Sequence, residues 1–558
     1  MKKPVFYIAV LVVLASLYLY ACSAEEPSEP EAVLLPFLPT EKENIDTDIY
    51  RLRNTVVSAS TIKYELSQED IDILKKKTDY ALRYLNNYYV FDLDEFSEAL
   101  YDAHSSYQYI QYQQDVADIL LQKEDSEVNR RNYLEATSYK SKAWDIFWNF
   151  CKVARQDNRT SGIVSDLLNK KYSLVSIYSE GAEKYGYRMV ELVTSFNSAK
   201  NLPETELCDY YLEYVSTANR YAECFGYENY YEYAAYEVYN RDYDSDAREK
   251  IRLYVAEYIV PLYKKSVQIA DSLWAEASYS ERQTSYKYIN SNYDQVPNDL
   301  FFSYIESLPD SASSIMQGVF DLDRIVVGDS ASSNKQASAV CILGDIPFMY
   351  FHSDNMDMYT VAHELGHYYS HFYNKRPKDF AYDRWEFYAL TNELLLASYM
   401  IKNDQSMAFK CESANYISDR LYSWILNTMK DEFDEIVFST YGSFDPKPSG
   451  LLEISKKILE KYGMVGVSTS MENYLKTYWS RQGLDFPAYT MNYSIAFIAA
   501  FDIYLQSLTD YQGATELYCN LVENYNEYES FTTNLLLVGM NTPFNKEPYL
   551  RLSSLFEN

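Results

Sequence analysis

From Ser67 onward, apolar positions recur every three or four residues. Ile71, Leu74, Ala81, Leu82 and Leu85 fall on one helical face. Ser67-Gln68-Glu69-Asp70 just before them has the form of a capping box, with Asp in place of Glu or Gln. The same period returns through Tyr101–Leu121, Trp144–Val153, Ile163–Val193 and Leu207–Tyr239, without a fixed-length repeat. Ser307-Leu308-Pro309-Asp310-Ser311 interrupts it. Three short runs then read as strands: Arg324–Val327, Ala337–Leu343 and Pro347–Phe351, with Gly344-Asp345 as a turn between the last two. The helical pattern resumes near Met358, and Phe444 to Gly450 forms a late loop. The pattern predicts a mainly α chain with one small β-sheet.

Composition sharpens this. Gly and Pro number only 15 and 16 in 558 residues. A sandwich or barrel needs many more turn residues, so long helices are expected. The length allows three or four domain-sized units or one large multi-lobed body, and 47% hydrophobic residues can fill a large core. A formal charge of −31 would repel phosphate backbones, which excludes nucleic acid as a partner. The 60 tyrosines have no single account at this level.

The N-terminus carries an address. Lys2 and Lys3 precede an apolar run from Val5 to Leu19, and the segment ends Leu19-Tyr20-Ala21-Cys22. The run sits where a signal peptide sits, and small residues before a Cys resemble a bacterial lipobox. Residues 1–21 are then a lipoprotein signal peptide and Cys22 the lipidated first residue. Residues 22–45, rich in Glu, Pro and Ala, read as a flexible tether. The expected location is the bacterial cell envelope, anchored to the membrane through Cys22 and facing the periplasm or exterior. Loss of Lys2 and Lys3 takes the formal charge from −31 to −33. The other six cysteines contain no C-x-x-C pair, so they make no zinc ribbon. No Gly-rich phosphate loop or G-x-S-x-G elbow is present.

The chemistry concentrates at His363. Of five histidines, His104, His352, His363, His367 and His371, four fall within 20 residues. His363-Glu364-Leu365-Gly366-His367 fits H-E-x-x-H. Residues i and i+4 lie one turn apart on one helix face, so both imidazoles can converge on one Zn²⁺ and leave room for a third ligand and water. Glu364, about 100° around the helix, is off that line and can act on the water as a base. His371 lies ~12 Å along the axis from His363, too far to share the ion. His352 is structural or a substrate contact, and His104 is ordinary surface or core. The third ligand should be an acid on a nearby helix, and Glu386 and Glu393 are the candidates. They lie two turns apart, ~10.5 Å along one face, so only one of them can ligate.

These residues resemble a known family. Thr360-Val361-Ala362-His363-Glu364-Leu365-Gly366-His367, followed by Glu386 and Thr391-Asn392-Glu393, looks like the oligoendopeptidase F branch of the thimet oligopeptidase family. Ala222 to Tyr230 resembles that family's G-Y-x-S/N-Y segment, and the last two strand runs resemble strands beside its site. The resemblance implies a large two-lobed helical body around a deep groove, with a small β-sheet next to the zinc helix. It implies one Zn²⁺ per chain on His363, His367 and Glu386, with Glu393 orienting a ligand imidazole. The resemblance covers about Asn219 to Ala500, and the chain is read as an N-terminal helical region over 46–215 and a catalytic region over 216–558. Ala389 stands where the family has Ser. Phe486, Tyr489 and Tyr493 fall on aromatic positions near the family's C-terminal substrate contacts, so Tyr489 or Tyr493 is expected to donate to the oxyanion. No His follows His371, so the family's C-terminal His is absent. The expected function is zinc-dependent endoproteolysis of short peptides. The alternatives are a zinc aminopeptidase and an inactive helical peptide-binding lipoprotein.

Overall fold

The structure is a computed structural model that describes residues 59–556, except 61, 87–90, 125, 173–181, 199–202, 290–298, 329–337, 344–345, 353–355, 374–381, 482–483, 485–486 and 527–528. The signal peptide, Cys22, the tether, the Gly344-Asp345 turn and Phe486 lie outside the described residues. The chain divides into two compact units. One takes residues up to Val175 with Gly318–Ser353, and the other takes Ser176–Gln317 with Asp354–Asn558. This differs from a single cut at 215/216.

In the first unit, helices α1 (Gln68–Asn86), α2 (Leu93–Lys123) and α3 (Glu127–Gln156) pack on one another. Each start has a polar cause. Asp70 accepts from the Ser67 amide at 2.8 Å, which is half of the expected capping box. Asp92 accepts from the amides of Asp94 and Glu95, and Ser126 from that of Asn129. The core between α2 and α3 is aromatic: Tyr107 stacks on Phe147 at 5.3 Å, and His104 lies buried against the same Phe147 at 5.6 Å. Helix α4 (Ser161–Tyr172) follows.

The three strand runs form one sheet of β1 (Ile325–Gly328), β2 (Ser338–Leu343) and β3 (Ile346–His352), in the order β1-β3-β2. β3 is parallel to β1 and antiparallel to β2. Val326, Phe348 and Tyr350 pack on Val116 and Ile119 of α2, which is why this segment belongs with the N-terminal helices.

The second unit begins with α5 (Ala182–Ser198) packed on α6 (Glu204–Glu223). The expected helix Leu207–Tyr239 does not run through. α6 stops at Glu223, Gly226 takes φ 88°, and Asn229 accepts from the Glu232 amide to start a new turn at Tyr230. Helix α7 (Val260–Glu276) lies along the 33-residue α10 (Met407–Ser439). Asn219 Nδ2 donates to Phe438 O, which ties α6 to α10 as well. The site rests on α8 (Met358–His371) and α9 (Tyr382–Asn403), with α11 (Met491–Thr509) packed on α9 and α12 (Tyr511–Glu523) packed on both α9 and α11.

α8 and α9 approach very closely. A Cβ on Gly366 would sit 2.7 Å from Ala389 Cα and 2.7 Å from Tyr388 O. Asn392 Nδ2 donates to Ala362 O at 2.7 Å, and Tyr304 Oη donates to Asn392 Oδ1 at 2.6 Å. Cys151, Cys208, Cys411 and Cys519 are buried free thiols, and Cys224 is a partly exposed one. Among the described residues, no helix is long and apolar enough to cross a membrane.

Candidate metal centre

α8 begins where Asp357 accepts from the amides of Tyr359 and Thr360, which fixes the register of the turns that follow. One turn separates His363 from His367, and their rings lie 4.8 Å apart. The close crossing at Gly366 brings Glu386 of α9 onto the same spot. Ligand atoms of His363, His367 and Glu386 all lie within 4.8 Å of one another, and Glu386 Oε2 is 3.6 Å from His363 Nε2. Glu386 and His367 are buried. Glu386 Oε2 and His367 Nδ1 are buried atoms with no hydrogen-bond partner.

Glu393 stands elsewhere. Its Oε1 is 2.5 Å from His363 Nδ1, on the opposite edge of that ring from Glu386. Its Oε2 accepts from Tyr416 Oη at 2.7 Å and from Arg420 Nη1 at 3.1 Å. Burial alone would raise the Glu393 carboxyl, but Arg420, His363 and Tyr416 together hold it below the usual carboxylate range. Burial pulls His363 down, yet the hydrogen bond and charge of Glu393, with the charges of Glu364 and Glu386, push it up to about 9. Burial, then the neighbouring His363, drive His367 well below its ordinary value and keep it neutral. Burial raises Glu386 against the pull of His363, Tyr489 and Tyr493.

Tyr489 Oη donates to Glu386 Oε1 at 2.6 Å, and the Tyr493 ring lies 5.6 Å from that of Tyr489. Tyr489 is buried and Tyr493 partly exposed. Glu364 is buried on α8, near enough for its charge to act on His363. His371 ends α8 and His104 belongs to the first unit's core, so neither joins the cluster. His352, the last residue of β3, packs edge-on to Tyr350.

Three contributors escape the sequence reading. Tyr416 and Arg420 lie one turn apart on α10 and grip Glu393, but nothing local links them to H-E-x-x-H. Trp385 stacks on His367 at 4.5 Å with the planes 17° apart, and fixes that ring's orientation. Its place beside Glu386 is the one signal that could have found it.

No family model and no curated protein matches the chain. Solved structures do. PZ peptidase A with an inhibitor superposes at a TM-score of 0.63 and 14% identity, over 89% of this chain and 98% of that one. A Bacillus anthracis protein assigned as an oligoendopeptidase F gives 0.62 and 14%, over 90% and 97%. A further structure with the same assignment gives 0.61 and 15%, over 90% and 98%. The likeness spans nearly the whole of each chain, and this protein has the fold of PZ peptidase A and oligoendopeptidase F.

Proposed function

We propose that the chain is a zinc-dependent endopeptidase for short peptides, anchored to a bacterial cell envelope through a lipid on Cys22. The observation that carries this reading is the convergence of two imidazoles and one carboxylate, with Glu364 beside them on α8. Two nitrogens and one oxygen are a zinc donor set. The orphaned, buried Oε2 of Glu386 is the kind of atom a cation satisfies. His363, His367 and Glu386 would hold the ion, which supplies a Lewis acid that polarises the scissile carbonyl and acidifies water.

The chain's own groups do the rest. Glu393 accepts a hydrogen bond from His363 Nδ1–H and so leaves Nε2 free to ligate. Arg420 and Tyr416 keep Glu393 charged for that task. The Glu364 carboxylate takes one proton from the attacking water and delivers it to the leaving amine. Tyr489 holds Glu386 in place. Tyr493, the more exposed of the pair, donates to the developing oxyanion, a role the family shares with the His absent here. The structural neighbours' own names, peptidase and oligoendopeptidase, support short peptides as substrates.

An internally quenched peptide tests this. Cleavage at an internal bond, lost with a chelator and restored by zinc, is the expected result. Chelator-resistant cleavage would contradict it. Stepwise release of N-terminal residues would indicate an aminopeptidase, and tight binding without cleavage an inactive receptor.

A further inference from the structure

Tyr489 follows a residue in a conformation that L side chains avoid. Ala488 takes φ 66°, in the left-handed region. Buried groups from distant parts of the second unit hold it there. Arg241 donates through Nη2 to Ala488 O, and through Nε and Nη2 to Asn492 Oδ1 at 3.1 Å each. Asp434 Oδ2 accepts from the Ala488 amide at 3.0 Å and from Tyr478 Oη at 3.1 Å. Tyr239 Oη donates to Pro487 O at 2.9 Å, and its ring stands edge-on to Tyr489 at 5.6 Å.

Arg241 is only 3% exposed, and its Nη1 has no hydrogen-bond partner. A buried guanidinium left partly unsatisfied is costly, and so is a positive φ at Ala488. The residue that both costs secure is Tyr489, whose hydroxyl reaches Glu386 at 2.6 Å.

We propose that Arg241 is a positioning residue of the metal centre. It clamps Ala488 and Asn492 so that Tyr489 presents its hydroxyl to Glu386 and aims the other carboxylate oxygen at the ion, with Asp434 and Tyr239 completing the clamp. The inference rests on the zinc reading above.

Arg241→Lys keeps the charge but loses the fork that spans both acceptors. In chelator competition, its zinc dissociation constant should rise ~10- to 100-fold, as losses of groups behind a ligand do. Tyr489→Phe should give a similar rise, and the double variant no more than the larger single one, because both remove the same hydrogen bond. Adding Ala488→Gly to Arg241→Lys should recover part of the affinity, since glycine takes a positive φ freely. A merely structural arginine would show none of this coupling. Tyr239→Phe is a gentler cut of the same clamp. Should Arg241→Lys fail to fold, the smaller loss in Tyr239→Phe must vanish in a Tyr489→Phe background. Unchanged affinity in a folded Arg241→Lys or Tyr239→Phe chain, or losses that multiply with Tyr489→Phe, overturns the proposal. A parent chain that binds no zinc overturns the zinc reading itself.

Discussion

Glu386 and Glu393 share one face of α9 two turns apart, and their surroundings give them different chemistry. Glu386 faces His363 Nε2 at 3.6 Å with a buried oxygen that has no hydrogen-bond partner, whereas both oxygens of Glu393 are hydrogen-bonded. Glu386→Ala should therefore lower zinc affinity steeply, and Glu393→Ala only ~10- to 100-fold. Zinc titration of both variants checks the order, and the reverse order would exchange their roles. The same contacts set a pH dependence in the metal-free chain. His363 is raised from its ordinary 6.5 to about 9. A raised His contributes stability that is fully present below its ordinary value and is lost as pH rises through the raised one. The urea midpoint of the metal-free chain should fall between pH 6.5 and 9, and His363→Gln should flatten that fall. An equal fall in the parent and in His363→Gln across this window would contradict the pairing with Glu393.

The element on which the site depends is the crossing of α8 and α9. Gly366 meets backbone atoms at 2.7 Å, and backbone cannot swing aside. Gly366→Ala should part the two helices at a cost of ~1–3 kcal/mol or more. It should weaken zinc binding as well, because the ligands sit on both helices. Urea unfolding and zinc titration measure the two effects, and an unchanged chain in both would contradict this packing.

The start of α8 near Met358 and the three strands were legible, because a change of period marks them locally. The break after Glu223 was less so, because the apolar spacing runs on through Cys224–Asn229 and only Gly226 signals it. Tyr416, Arg420 and Arg241 were not legible. Their roles exist only once α9, α10 and the Pro487–Asn492 segment are folded together.

Across the whole molecule, 81 acids stand against 50 bases, so acids outnumber the Lys and Arg side chains that could pair with them. Tyrosine hydroxyls fill part of the gap. Tyr231 donates to Asp431, Tyr416 to Glu393, Tyr478 to Asp434, Tyr489 to Glu386 and Tyr369 to Glu523. A neutral donor with a large apolar ring satisfies a carboxylate while filling core volume. That accounts for part of the tyrosine excess that composition alone left unexplained. Charge bears on location too. A chain this acidic has no electrostatic hold on an anionic membrane surface, so the proposed attachment rests on the lipid. Cys22→Ala should move the protein from the membrane to the soluble fraction. Retention of that variant on membranes after a high-salt wash would contradict the anchor.

The central claim is that Glu364 moves the proton in a zinc-dependent peptide hydrolysis. Glu364→Gln keeps the side chain's size but cannot accept that proton. Zinc content and turnover of an internally quenched peptide, measured on one preparation of this variant, test the claim directly. The account predicts about one bound zinc per chain and a turnover at least ~10²-fold lower. Turnover near that of the parent, with zinc in place, would contradict it.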